Sequence, residues 1–232
     1  MKLTIKRGEI YQTYEIPEEI KGTLLEILLY IKDEIDPTLS FRFGCRSGIC
    51  GCCSIRVDGR ENLACTHKQD NDCTIEPLRF HTLIKDLAVE YEDGLSTLEI
   101  AKTYISTPNN ENPTHKDLKL IELQSDCILC GSCYSACPVL AVNGSFLGPF
   151  ALVRSLRYIA DIKDGDKKSK IDLIQKNGIW DCTLCGECTI VCPQNIDPKN
   201  DITNLRIKSS ILGYTDPNIG SFDSGNFGFN PF

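Results

Sequence analysis

The sequence predicts an α+β protein in two parts, a strand-rich unit over residues 1–105 and a helical unit over residues 106–232. Three observations carry this. Short runs of alternating apolar and polar residues dominate the first hundred positions, as half-buried strands require. A polar stretch with two prolines, residues 106–117, then interrupts the periodicity. Beyond it, apolar residues recur at three- and four-residue intervals, the spacing of amphipathic helices.

The elements follow in order. "KLTIKR" and "YQTYEI" flank Gly8-Glu9 and read as a hairpin. "TLLEILLYIKDEID" places Leu24, Leu25, Leu28, Leu29, Ile31 and Ile35 at helical spacing, with Thr23 and Glu26 forming a capping box and Pro37 ending the helix. It is the one helix expected in the first hundred residues. "SIRVDGRENLAC" carries Asp58-Gly59, a tight-turn signal between strands, and "CTIEPL" reads as a further strand. Two strands, a helix, a loop and more strands describe a small β-grasp arrangement. In the second unit, Pro149 suits the first position of a helix whose apolar face holds Val153, Leu156 and Ile159. "KKSKIDLIQKNGIW" and "DITNLRIKSSIL" read as helices too. From about residue 213 the chain becomes rich in glycine and phenylalanine, a tail expected to be disordered or to dock on a partner.

Composition excludes several function classes. The apolar stretch from Leu24 to Ile31 is interrupted by Glu26 and is far too short to cross a bilayer. No basic segment leading into an apolar one opens the sequence. The expected protein is therefore soluble. Net charge is −7 with no basic stripe, so nucleic acid is not an expected partner. His67, His81 and His115 are scattered, and no phosphate-binding glycine loop, dinucleotide fingerprint or nucleophile elbow is present. No catalytic residue for an organic substrate is expected.

The fourteen cysteines carry the chemistry. A disulfide framework belongs to small secreted domains, whereas twelve of these residues fall in three tight groups. Cys45-x4-Cys50-x2-Cys53 has the plant-type [2Fe–2S] spacing, and Cys65 supplies the fourth thiolate. Gly44, Gly48 and Gly51 let that loop curl so that backbone N–H groups face the sulfurs. "CILCGSCYSACP" and "CTLCGECTIVCP" repeat the pattern C-x2-C-x2-C-x3-C-P, in which the last cysteine of each run serves the other cluster. The expected sets are Cys127, Cys130, Cys133 and Cys192 for one [4Fe–4S] cluster, and Cys137, Cys182, Cys185 and Cys188 for a distal one. All-cysteine zinc sites also use C-x2-C pairs, but zinc does not explain two x3-C-P endings beside a plant-type loop. Cys52 is left as a spare thiol and Cys73 as a small buried hydrophobe.

These motifs in this order resemble the iron–sulfur subunit of succinate dehydrogenase and fumarate reductase. "FRFGCRSGICGCC", "LACTH", "PLRFHTLIKDLAVE", "CILCGSCYSACP" and "NGIWDCTLCGECTIVCPQNIDP" carry the resemblance across nearly the whole chain. It implies an electron-transfer subunit of an enzyme complex, linking an FAD-containing flavoprotein to a membrane-side partner with a quinone at or near it. The chain would then be held peripherally at a membrane by that partner, on the cytoplasmic face, with export alongside a signal-bearing partner as the alternative. The [2Fe–2S] cluster would lie nearest the flavin. In most of that family the position of Cys185 is not cysteine and the distal cluster is [3Fe–4S]. Here Cys185 restores a fourth ligand, so a second [4Fe–4S] is expected, with [3Fe–4S] as the alternative. "PVLAVNGSF" also lacks the tryptophans that some relatives place beside quinone. Both features resemble atypical members whose membrane-side subunit is cysteine-rich, like a heterodisulfide reductase component, rather than a plain membrane anchor. A thiol-driven fumarate reductase, another flavin-linked oxidoreductase or a free ferredoxin shuttle are the competing functions.

Overall fold

The structure is a computed structural model that describes residues 1–217. The expected docking or disorder of the chain's end falls mostly on residues 218–232, which lie outside the described residues. Strands β1 (Lys2–Arg7) and β2 (Ile10–Glu15) form the hairpin, with Gly8 at φ +63° in its turn. Helix α1 (Leu24–Tyr30) begins at the reciprocal Thr23/Glu26 cap and continues as a π-helical turn over Ile31–Ile35. Strands β3 (Ser54–Val57) and β4 (Arg60–Leu63) meet at Asp58-Gly59, both with positive φ. Strand β5 (Cys73–Glu76) inserts parallel to β1 and antiparallel to β3, which gives the order β2-β1-β5-β3-β4.

Period-two alternation sends Leu3, Ile5, Val57 and Ile75 to one face, where Leu24, Ile27, Leu28 and Ile31 cover them. Arg7 ties this sheet to the segments that flank it. Its guanidinium donates to both carboxylate oxygens of Asp86, at 3.0 and 3.1 Å, and to Asp36 at 2.5 Å. The Asp86 carboxylate also accepts from the Ser40 N–H, so the approach to the cysteine loop is held from two sides.

The first hundred residues hold a second helix that periodicity did not reveal. After a short hairpin of β6 (Leu83–Lys85) and β7 (Ala88–Val89), helix α2 spans Glu92–Ile100. It lies against the helical unit: Phe80, Leu98 and Ala101 join the second core, around Phe146, Leu152, Ile174 and Ile202. Its sequence has weak amphipathicity because its partner is the other unit, not the sheet. Packing therefore crosses the expected division at residue 105.

The expected linker is also more structured than its composition suggests. Residues 106–109 lie along the loop at 161–166, with Gly165 N–H bonded to Thr107 O at 2.8 Å and Asn109 N–H to Lys163 O at 2.9 Å. Its last residues begin a helix. Thr114 and Asp117 cap α3 (His115–Lys119), which α4 (Glu122–Ser125) follows. Next come α5 (Ser132–Ser135), α6 (Pro149–Ala160), α7 (Lys167–Leu173), α8 (Glu187–Ile190) and α9 (Pro198–Ile211). Helix α6 starts at Pro149 as expected but is buried on more than one face, since α2, α4, α5, α7 and α9 surround it. Among the described residues no helix is long and apolar enough to cross a membrane.

Candidate iron–sulfur centres

Residues 44–50 form a succession of bends, and a turn at 52–53 leads into β3. The curl aims backbone donors at sulfur. Ser47, Ile49 and Cys50 N–H groups reach Cys45 Sγ at 3.3–3.4 Å, Cys45 N–H reaches Cys50 Sγ at 3.3 Å, and Gly48 N–H reaches Cys65 Sγ at 3.2 Å. These donors, Ser47 foremost, pull the Cys45 thiol down to about 6, since N–H groups favour the thiolate. Gly44 is needed for its size: a Cβ there would sit 3.0 Å from Cys50 Sγ. Cys53 and Cys65, at the ends of β3 and β4, are buried opposite the loop, and burial pushes the Cys53 thiol up to about 12. The loop thus brings Cys45, Cys50, Cys53 and Cys65 together.

Cys52 lies at the exposed rim, its S–H donating to the Cys50 carbonyl oxygen at 3.7 Å. Cys73 is buried in β5, and burial raises its thiol to about 12.

The two longer runs repeat in structure as well as in sequence. Leu129 and Leu184 both take positive φ, 53° and 55°, and Gly131 and Gly186 follow at 77° and 90°. Each run then enters a single helical turn, α5 or α8, and these two turns lie against each other. This shared curl turns backbone N–H groups inward, as Leu184 N–H onto Cys182 Sγ at 3.4 Å shows.

The grouping of thiols is visible in their electrostatics. Burial raises Cys133 well above the usual range, and Cys130, Cys127, Cys188 and Cys192 each push it further. Cys127 is raised by burial and by Cys130 and Cys192. Cys188 is pushed up to about 12 by burial, then by Cys182, Cys137 and Cys185. Cys137, which is raised mainly by burial, also feels Cys182 and Cys185. The last cysteine of each run therefore stands with the first three of the other. Cys137, Cys182, Cys185 and Cys188 line one shared cavity, roofed by Pro138 and Pro149.

This donor set fits iron–sulfur groups. Buried thiols crowd one another with little positive charge nearby, and metal binding supplies that charge as the protons leave. N–H donors to sulfur are one lever on cluster potential. Among the described residues no three Cys, His, Asp or Glu side chains converge as one metal ion requires.

Some residues that position the site had no signal in the sequence. Arg206 on α9 donates to the carbonyls of Ile179 at 2.8 Å and Cys182 at 2.6 Å, fixing the start of the distal run. Gln194 donates to Gly48 O at 3.2 Å, joining the Cys192 segment to the first loop. A lone arginine or glutamine on a helix or turn looks like solvated surface until the fold brings it to its acceptor.

Comparison with known proteins agrees with this geometry. Residues 3–96 match the family "2Fe-2S iron-sulfur cluster binding domain", and residues 123–196 match "4Fe-4S dicluster domain". The chain is 36% identical over 219 residues to the fumarate reductase iron-sulfur subunit of Haemophilus influenzae, covering 85% of this chain and 86% of that protein. It is 34% identical over 235 residues to the 8-methylmenaquinol:fumarate reductase iron-sulfur subunit of Wolinella succinogenes, covering 92% and 74%. In fold it matches a chain of the Mycobacterium smegmatis Sdh1 complex with a TM-score of 0.82 at 22% identity, covering 92% of this chain and 97% of that one. The chain thus belongs to the electron-transferring iron–sulfur subunits of succinate dehydrogenases and fumarate reductases, proteins that carry [2Fe–2S] and [4Fe–4S] clusters.

Proposed function

We propose that this chain connects an FAD-bearing subunit to a cysteine-rich, heterodisulfide-reductase-like partner at the cytoplasmic face of a membrane, and that its distal centre is a second [4Fe–4S] cluster. The carrying observation is the cavity shared by Cys137, Cys182, Cys185 and Cys188. A fourth thiol stands where a three-iron centre needs none.

The ligand sets of this reading are Cys45, Cys50, Cys53 and Cys65 for [2Fe–2S], Cys127, Cys130, Cys133 and Cys192 for the first [4Fe–4S], and Cys137, Cys182, Cys185 and Cys188 for the distal cluster. When bound, these groups supply one-electron redox centres along the chain. The protein's own part is to hold their thiolates, to donate N–H groups to sulfur and to keep water from the buried members. The working division is a [2Fe–2S] unit over 1–105 and a two-cluster unit over 106–232, with α2 as the strap between them.

Exposed apolar side chains support a partner at each end. Phe43 and Ile49 project beside the first loop, on the side assigned to the flavoprotein. Val142 is 88% exposed and Ile190 59%, a few residues from Cys137 and Cys188, on the side assigned to the membrane partner. The name of the Wolinella relative points to a quinol donor, and we read the same chemical class at or near the membrane-side partner here. Fourteen unpaired cysteines suit a reducing compartment.

Anaerobic EPR of the intact protein tests the distal assignment. The expected result is no oxidised-state [3Fe–4S] signal in the native chain and its appearance in Cys185→Ser. A native three-iron signal would refute the second [4Fe–4S] cluster. Affinity purification from the native host tests the partners: an FAD-bearing and a cysteine-rich subunit are expected, and a haem-binding anchor in place of the latter would refute that choice.

A further inference from the structure

Gly51 is buried in the first cysteine loop at φ +71°, and its missing side chain faces the other unit. A Cβ at this position would lie 2.8 Å from Cys130 Cβ, 2.9 Å from Cys130 Cα and 3.1 Å from the Ile128 carbonyl oxygen. The first two gaps are well inside van der Waals contact and the third is tight. The obstructing atoms belong to backbone or sit directly on it, so no rotamer change relieves the clash. The loop next to Cys50 therefore touches the loop that presents Cys130, and only glycine permits it.

The seam is closed around this contact. Ser54 Oγ and Ser132 Oγ meet at 3.2 Å in a buried hydrogen bond, and the same Ser132 oxygen lies 3.4 Å from Cys130 Sγ. Ser135 donates to the buried Glu61 carboxylate at 2.7 Å, and Gln194 reaches Gly48 from the far side. A wedge at Gly51 would strain the whole seam, because packed interiors transmit displacement instead of absorbing it.

We infer that Gly51 is a positioning residue for electron transfer between the two units, its lack of a side chain setting how closely the Cys50 and Cys130 loops approach. This rests on the ligand sets proposed above. The step served is a transfer of one electron between the group on Cys45, Cys50, Cys53 and Cys65 and the group on Cys127, Cys130, Cys133 and Cys192. One group is oxidised as the other is reduced, and no bond or proton changes place.

The test compares native chain, Gly51→Ala and Gly51→Asn, each cluster-loaded and anaerobic. Iron and sulfide content establish loading. In the fully reduced protein, power saturation of the [2Fe–2S] EPR signal reports the magnetic proximity of the neighbouring reduced cluster; starting from the oxidised protein, photoreduction gives the interdomain transfer rate. Both variants are expected to weaken the relaxation enhancement and to slow transfer severalfold, since tunnelling falls off steeply with the separation of the two groups. Asn tolerates the left-handed region better than Ala, so it separates wedge from backbone strain. Native behaviour in Gly51→Asn with a defect only in Gly51→Ala would overturn the inference, as would unchanged saturation in both. Should the glycine variants fail to load, Ser54→Val wedges the same seam from β3. Partial loss of the enhancement is expected there, and an unaltered signal overturns the inference. Absence of either cluster signal in the native chain would instead overturn the ligand reading, and the inference with it.

Discussion

Lys170 and Asp164 are both completely buried and form an ion pair at 2.9 Å. The same ammonium donates to Tyr104 O at 2.7 Å and Ser106 Oγ at 2.9 Å, so one side chain pins the start of the linker onto the loop after α6. Replacing Lys170 by Met removes three donors and strands a carboxylate in the interior. Breaking one side of a buried pair costs about 3–5 kcal/mol. Asp164 would retain N–H donors from Asp166 at 3.0 Å and Ser106 at 3.4 Å, which places the expected cost near the lower end. Adding Asp164→Asn neutralises the stranded charge and keeps one oxygen to accept from the Asp166 N–H, at the cost of the longer Ser106 contact, so the double variant is expected to recover part of the loss. Hydrogen exchange at the Gly165 and Asn109 amides reads this locally. A loss of about 3 kcal/mol corresponds to roughly a hundredfold faster exchange. A change below about tenfold, or a double variant no better protected than the single, would refute the idea that the pair holds the linker in place.

Two further perturbations address other parts of the molecule. Cys50→Ala is expected to abolish the [2Fe–2S] EPR and visible signals, while Cys52→Ala leaves them nearly unchanged; the reverse pattern would reassign the ligand. Burial raises the Asp201 carboxyl to about 6, with a second Asp and one Gln124 donor as lesser influences. The folded state then binds more protons than the unfolded one between about pH 4 and pH 6, so the residue lowers stability as pH rises through that window. Asp201→Asn should therefore stabilise the protein by up to about 3 kcal/mol at pH 7.5, with the gain shrinking toward pH 5 in urea unfolding; a pH-independent difference would show that Asp201 titrates normally.

The cysteine spacings, the Asp58-Gly59 turn, the Thr23/Glu26 cap and Pro149 at a helix start were all legible because each is local. Turn chemistry, caps and ligand loops act over a few residues, and the backbone at Leu129 and Leu184 repeats because its sequence repeats. Helix α2 was not legible, since its apolar residues face a core assembled from residues fifty positions further on. Nor was the order of the linker, whose polar composition conceals a buried lysine far along the chain that holds it. The sequence by itself determined which thiols this protein presents and how each short loop curls around them. Only the tertiary structure decided how closely those loops approach each other, and through which glycine, serines and glutamine, because contact between distant segments depends on packing that no local pattern encodes.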